Sequence, residues 1–173
     1  MERIRRNSII SFLLCAIVLL FSISACGNIQ VTSANISEHF SVDEESFERA
    51  INILREYEVD ENGIDIIYEK DLMLEAGVPQ ELMDKYNFKS LAIVNRVQID
   101  YYEVRFVTDE DSLYQAGIYY TSDGKPDIME KYTEETEDQK YYVENALDHK
   151  KEIWRINDNW FYYSCKWNHG SVL

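Results

Sequence analysis

The chain has 173 residues, of which 28% are charged and 46% are apolar, a length and composition typical of one domain. Aromatic residues make up 13% of the sequence, which is enough to build a core and argues against a disordered chain. The formal net charge of −15 argues against direct nucleic-acid binding, because an acidic surface repels the phosphate backbone. Three cysteines are too few for a disulfide scaffold.

The first residues have the pattern of a secretory signal peptide. Arg3, Arg5 and Arg6 form a basic start, and an uncharged, mostly apolar run covers 9–21. That run is shorter than the roughly 20 residues with which a helix crosses the hydrocarbon layer. We therefore expect residues 1–25 to be a signal peptide, with a short uncleaved membrane anchor as the alternative.

The end of this segment carries a more specific motif. Ile23, Ser24, Ala25 and Cys26 resemble the lipobox of bacterial prolipoproteins, departing from its usual form only by isoleucine in place of leucine. The resemblance covers the first 26 residues and implies a lipid on the thiol of Cys26 and cleavage before it. It also implies a mature protein that is held on the membrane by acyl chains, facing the extracytoplasmic side, and does not span it.

Processing at that site changes the charge and the cysteine inventory of the mature chain. Removal of Glu2 and of the three N-terminal arginines shifts the formal net charge from −15 to about −17. Once Cys26 is acylated, Cys165 is the remaining free thiol, so we expect no intramolecular disulfide.

After the lipidated residue we expect a tether and then one domain. Residues 26–40 are small and polar, and predict a flexible segment reaching at most about 50 Å before a domain over 41–173. Ser41 and Glu44 have the spacing of a helix capping box. The apolar residues that follow recur at helical spacing and predict a helix over about 42–57: Phe47, Ala50, Ile51, Leu54 and Tyr57.

The middle of the chain predicts strands and one short helix. Pro79 suits the first turn of a helix that ends near Tyr86. Strands are predicted over 64–68, 91–99, 101–108 and 113–121. The Asp123-Gly124 pair predicts a tight hairpin turn with a return strand over 128–132.

The last third of the chain contains one ambiguous segment and one clear hairpin. Residues 133–148 fit a helix that buries Tyr142 and Leu147, with a strand over 141–143 as the alternative. The strands 152–156 and 160–167 predict an aromatic hairpin. Alternation along its second strand predicts two faces, with Phe161, Tyr163, Cys165 and Trp167 toward the core and Trp160 and Tyr162 opposite.

Together these elements predict an α+β domain. We expect the N-terminal helix to pack on a curved antiparallel sheet that ends in the aromatic hairpin. This order of elements resembles the cone-shaped architecture of the nuclear-transport-factor and cystatin folds, although no sequence motif of either accompanies it.

The residues that most often carry chemistry form no recognisable set. The three histidines lie far apart and no second thiol is available, so we expect no metal site, and no glycine-rich loop indicates a nucleotide cofactor. Asp60, Asn62 and Asp65 lack the glycine position of a calcium loop and indicate a turn. Cys165 alternates with Tyr163 and Trp167, which favours a core residue over a nucleophile.

Paired aromatic residues give the candidate binding surface. Each tyrosine doublet on a strand turns one ring to each face of the sheet, and Trp160 and Tyr162 belong to the outward set of the hairpin. Aromatic side chains are enriched in binding surfaces. The candidate surface comprises Tyr101, Tyr119, Trp160 and Tyr162, and the alternative is that these rings merely cover the sheet.

These observations favour a membrane-anchored envelope lipoprotein with a small acidic, non-catalytic interaction module. The expected partner is a protein or peptide. An immunity or inhibitor lipoprotein that binds a cationic partner is the main alternative, and its supporting feature is the negative charge. An envelope hydrolase is less well supported, since no catalytic triad is evident.

Overall fold

The computed structural model describes residues 30–59, 63–126, 133–135 and 141–168. Three helices and eight strands follow one another along these residues. In chain order they are α1 (Ile36–Leu54), β1 (Ile64–Ile67), α2 (Lys70–Glu75), α3 (Gln80–Tyr86), β2 (Ser90–Arg96), β3 (Tyr101–Glu110), β4 (Tyr114–Thr121), β5 (Thr133–Glu135), β6 (Tyr141–Asn145), β7 (His149–Arg155) and β8 (Trp160–Trp167), with a 3₁₀ turn at Val97–Ile99.

All eight strands form one antiparallel sheet in the order β1-β2-β3-β4-β8-β7-β6-β5. The ladder is open, with β1 and β5 at its two edges. Long-range pairing of β4 with β8 joins the two halves of the chain. The predicted α+β class, with an N-terminal helix on an antiparallel sheet that ends in an aromatic hairpin, is confirmed.

Helix α1 begins earlier than the sequence predicts. Residues 36–40 were expected in the flexible tether, but Ile36 and Phe40 are helical and buried to 1% exposure. The predicted capping box is wrong, because Ser41 lies inside the helix and its Oγ donates a hydrogen bond to the carbonyl of Glu38 at 2.8 Å. Asn35 occupies the N-cap position, and its Oδ1 accepts the amide of Thr32 at 2.8 Å.

The three helices pack on one face of the sheet, here called the helix face. Phe47 of α1 lies at the centre of its aromatic core, with ring centroids 5.5 Å from Phe106, 5.4 Å from Trp160 and 5.3 Å from Tyr86. The short helix α2, which the sequence did not predict, adds the fully buried Met73 to this core. The predicted helix after Pro79 is confirmed as α3.

The opposite face of the sheet, here called the open face, carries no helix among the described residues. A second buried cluster nevertheless lies on it and comprises Tyr119, Tyr142, Ile153, Phe161 and Tyr163. Strand β8 is therefore packed on both sides. Its two-residue period is as predicted, but the expected exposure of Trp160 and Tyr162 is wrong, because they are 0% and 4% exposed in the helix-face core. The expected core position of Trp167 is also wrong, because its side chain is 38% exposed near the end of the strand.

Two further expectations concern the second half of the chain. Of the two interpretations of 133–148, the helix is wrong and the strand is correct, since Tyr141–Asn145 forms β6. Gly124 does adopt the positive φ of 65° that a turn requires. However, β4 pairs with β3 and β8, so it forms no hairpin with the chain that follows the turn. The predicted return strand over 128–132 lies outside the described residues.

A bulge bends the pairing of β3 with β4. The register shifts between Val107 and Asp109, which leaves Thr108 as the additional residue. Opposite this point lies Gly117, where a Cβ atom would sit only 2.2 Å from the carbonyl oxygen of Phe106. The close approach of the two backbones therefore requires glycine.

Candidate functional site

The four residues of the predicted binding surface do not lie together. Tyr101 and Tyr119 are on the open face, where Tyr101 is half-buried and Tyr119 is 1% exposed. Trp160 and Tyr162 lie on the helix face, and the Trp160 indole donates a hydrogen bond to Glu48 at 2.6 Å. The predicted surface is therefore wrong for Tyr119, Trp160 and Tyr162, whereas Tyr101 lines a concave site.

That site is a groove of about 210 Å³ on the open face, across strands β1 to β4. Strand alternation builds it, because alternate side chains of four neighbouring strands point to this face. Its walls are lined by Ile64, Ile66, Tyr68, Ser90, Ala92, Val94, Arg96, Tyr101, Glu103, Arg105, Val107 and Gln115.

A buried carboxylate forms the polar floor of the groove. Glu103 is 1% exposed, and its two oxygens accept hydrogen bonds from the hydroxyl of Tyr101 and from Nε of Arg105. Removing a carboxylate from water is costly unless it is paired, and Arg105 supplies the opposite charge. This triad leaves the floor close to electrically neutral.

Apolar side chains of an edge strand form one wall. Ile64 and Ile66 of β1 are 62% and 48% exposed, and Tyr68 beyond the strand is 62% exposed. The outer edge of β1 has no partner strand among the described residues. Strand β1 contains neither lysine nor proline, and the carboxylate of Asp65 accepts a hydrogen bond from Tyr57 at 3.0 Å, so another extended chain can pair along this four-residue edge.

A cation lies at the end of the groove. The guanidinium of Arg96 is 5.7 Å from the ring centroid of Tyr101, a distance typical of a cation–π contact. Its side chain is exposed, and within the described ranges no carboxylate forms an ion pair with it. With the floor neutralised, Arg96 gives the groove a positive end in an otherwise acidic chain.

Elsewhere on the open face, cationic side chains of β7 lie over aromatic rings of nearby strands. Arg155 lies 4.7 Å from the ring centroid of Phe161, and Lys151 lies 5.9 Å from that of Tyr119. His149 is 3.5 Å from the carboxylate of Glu144, which is 4% exposed. These contacts cover part of the open face over β7 and β8.

Cys165 lies on the open face of β8 and is 7% exposed, in agreement with its predicted core position. Burial raises the pKa of the Cys165 thiol, and the nearby Lys151 opposes that shift only in part. A raised pKa keeps the sulfur protonated, which is the weakly nucleophilic form.

Within the described ranges, no three His, Cys, Asp or Glu side chains converge on a point that could hold a metal ion. The turn-like sequence Asp60–Asn62 lies outside those ranges. Likewise, none of the described helices is both long enough and apolar enough to cross a membrane.

Sequence reasoning missed Glu103 and Arg105 as site residues. The two-residue period of β3 puts both on the same face as Tyr101, in agreement with the register, but it does not indicate that Glu103 is buried. The available signal was the alternation of Tyr101, Glu103 and Arg105, which brings a donor, an acceptor and a cation to one face.

Comparisons with protein-family models, with curated proteins and with solved structures found no match to this chain.

Proposed function

We propose that this protein is a lipid-anchored, extracytoplasmic binding module that captures an extended peptide along the edge of β1. The observation that carries this proposal is the combination of a free strand edge and a groove directly beside it. Strand addition gives affinity through backbone hydrogen bonds, and neighbouring pockets select alternate side chains. No step of this function requires catalysis.

The groove defines the chemistry of the peptide. Ile64 and Ile66 expose apolar surface at alternate positions, so apolar ligand side chains spaced by two residues match them. Arg96 lies at the far end and can donate paired hydrogen bonds to a carboxylate. The proposed ligand is therefore an extended segment with alternating apolar side chains and one acidic group.

A substitution that fills the groove with a bulky side chain tests whether peptides bind there. Acylated protein in detergent micelles selects binders from a displayed library of random short peptides. In Ala92→Trp the indole occupies the middle of the groove, and we expect the affinity of selected peptides to fall at least about tenfold. Val42→Trp is the matched control, because Val42 is 74% exposed on α1, and this variant should bind like the wild type.

Two results would contradict the peptide site. One is a set of selected peptides that bind Ala92→Trp as tightly as they bind the wild type. The other is a selection that enriches no peptide at all. Thermal unfolding of both variants accompanies the binding assay, so that a folding defect is not mistaken for a blocked groove.

The anchoring part of the proposal rests on the lipobox-like residues that end at Cys26. Only a cysteine can supply the sulfur that takes the diacylglycerol group. We therefore expect Cys26→Ala to abolish incorporation of labelled palmitate and cleavage by the lipoprotein peptidase. Palmitate incorporation that persists in this variant would refute the lipid anchor.

A cationic protein partner is the second candidate, favoured by the acidic outer surface of α1. Glu38, Glu44 and Glu45 are exposed there, and Glu44 also accepts a hydrogen bond from Asn157 at 2.9 Å, whereas the less exposed Asp43 and Glu48 bind Lys85 and Trp160. A complex steered by these charges should weaken steeply with salt, while strand addition should respond little. Binding measured at low and high ionic strength separates the two candidates.

A further inference from the structure

The folded domain starts only a few residues after Cys26. Val31 is 6% exposed in the helix-face core, and the carbonyl of Thr32 accepts the amide of Ile36 at 3.0 Å. The side chain of Asn35 holds the preceding turn by donating to the carbonyl of Gln30 at 2.9 Å. Residues 31–40 therefore belong to the domain and are not available as a tether.

Val31 marks one particular end of the sheet. Gln30 and Val31 line a shallow cavity with Tyr86, Asn87, Lys89, Thr108 and Asp109. These residues lie at the C-terminal end of β3 and just before β2, so we name this the anchor end. The other end of β3 begins at Tyr101 and lies beside Arg96 and the 3₁₀ turn.

Two lengths decide how the domain can sit on a membrane. The five residue steps from Cys26 to Val31 reach at most about 18 Å when fully extended. The ten residues of β3 span about 30 Å. The connection is therefore shorter than the domain, unlike the roughly 50 Å reach expected for a tether through residue 40.

We infer that the anchor end faces the lipid bilayer and that the Arg96 end points away from it. This inference rests on the proposed acylation of Cys26. Charge disfavours a domain that lies flat on its helices, because anionic lipid repels the exposed Glu38, Glu44 and Glu45 of α1. The exposed Asp109, Glu110 and Asp111 at the anchor end are repelled as well, so the short connection to the lipid is what holds that end near the bilayer. The groove then extends from Ser90 and Gln115 near the bilayer to Arg96 and Tyr101 at its outer end.

Short-range fluorescence quenching by a spin-labelled headgroup lipid tests this orientation. Acylated protein in phosphatidylcholine–phosphatidylglycerol vesicles carries one dye, at Ser112→Cys in the β3–β4 turn or at Val97→Cys. Both positions are exposed, and they lie at opposite ends of strands about 30 Å long. We expect quenching at position 112 to exceed that at 97 roughly threefold or more, because the quencher acts over a range shorter than the roughly 30 Å between the two ends of the strands.

Two controls make the result decisive. The chain without an added cysteine measures labelling of Cys165, which is buried. Inserting about 20 Gly and Ser residues after Gly27 adds a spacer of about 25 Å and should erase most of the difference between the two dyes.

Equal quenching at the two positions, or stronger quenching at 97, would overturn the inference. So would a difference that survives the inserted spacer, since the tether would then not be its cause. Vesicle flotation and palmitate labelling are measured on the same samples. If the chain takes no lipid, the anchoring proposal itself fails and this inference fails with it, whereas a lipidated chain with equal quenching refutes the inference alone.

Discussion

At the scale of a single residue, the hydroxyl group of Tyr102 lowers the stability of the fold. Its hydroxyl is buried and has no hydrogen-bond partner in the described structure, while Arg55 lies 5.9 Å from its ring centroid. A buried polar group without a partner costs about 1–3 kcal/mol. The ring contributes to packing, but the hydroxyl does not.

We therefore expect Tyr102→Phe to raise the free energy of unfolding by about 1 kcal/mol. Tyr120→Phe is the matched control, because the Tyr120 hydroxyl accepts a hydrogen bond from Arg55 at 2.7 Å and its removal should be destabilising. Urea unfolding of the two variants measures both changes. A larger loss at Tyr102 than at Tyr120 would contradict the assignment of the unpaired hydroxyl.

Glu103 marks the limit of sequence reasoning at this scale. The two-residue period placed it on the same face as Tyr101 and Arg105, and the register confirms that placement. Its 1% exposure could not be predicted, because burial depends on strands β2 and β4 that close around it. The period of a strand gives the face of a residue but not what covers that face.

At the scale of an element, β8 is packed on both faces, and this changes the expected outcome of mutagenesis. Phe161 stacks on Tyr119 at 5.1 Å between centroids, and Tyr162 contacts Trp154 at 5.4 Å on the other face. We expect Phe161→Ala and Tyr162→Ala each to cost about 3–5 kcal/mol. Ser164→Ala, in the same strand and half-buried, is the control.

Melting temperatures of the three variants check this expectation. A Tyr162→Ala protein that melts close to the wild type would instead support the facing predicted from the sequence, in which the Tyr162 side chain is exposed to solvent. It would also contradict the 4% exposure of this side chain in the helix-face core.

Strand β6 illustrates how a local pattern can favour the wrong element. Residues 133–148 have an acidic start and apolar residues at helical spacing, which fit a helix with its dipole. Yet Tyr141, Tyr142 and Val143 are also strong strand formers, and β7 offers them a complete ladder. The pairing with a later strand, which no local pattern contains, decides between the two.

For the whole molecule, buried tyrosines govern the response to alkaline pH. Four tyrosines have a pKa raised above the ordinary value of 10.0, and burial of the hydroxyl is the largest cause for each: Tyr86, Tyr102, Tyr162 and Tyr163. The unfolded chain loses these protons near pH 10.0, whereas the folded chain retains them. Their contribution to stability is therefore complete below that pH and is lost as the pH rises above it.

We expect the free energy of unfolding to fall steeply above pH 10, by up to about 1.4 kcal/mol per pH unit for each of these tyrosines. Urea unfolding at a series of alkaline pH values measures the slope. Tyr102→Phe should give a shallower slope than the wild type. A wild-type stability that does not change across the tyrosine range would contradict the burial of these hydroxyl groups.

The whole-molecule organisation was predictable in class but not in arrangement. Alternating strands, one amphipathic helix and the terminal aromatic hairpin indicate an α+β domain, which the structure confirms. The second core on the open face was not foreseen, because Tyr119, Phe161 and Tyr163 meet Ile153 and Tyr142 only after β8 has paired with β4 and β7.

Because β4 and β8 are packed on both faces, these two strands should tolerate few amino-acid substitutions. In an ordinary half-exposed strand, a saturation mutagenesis scan alternates between sensitive and permissive positions. Here residues 116–121 and 160–163 are all buried, so the scan should give two unbroken sensitive blocks. The permissive positions should concentrate on Ile64 and Ile66 of β1 and on the outer surface of α1, which leaves the surfaces proposed for binding as those most open to variation.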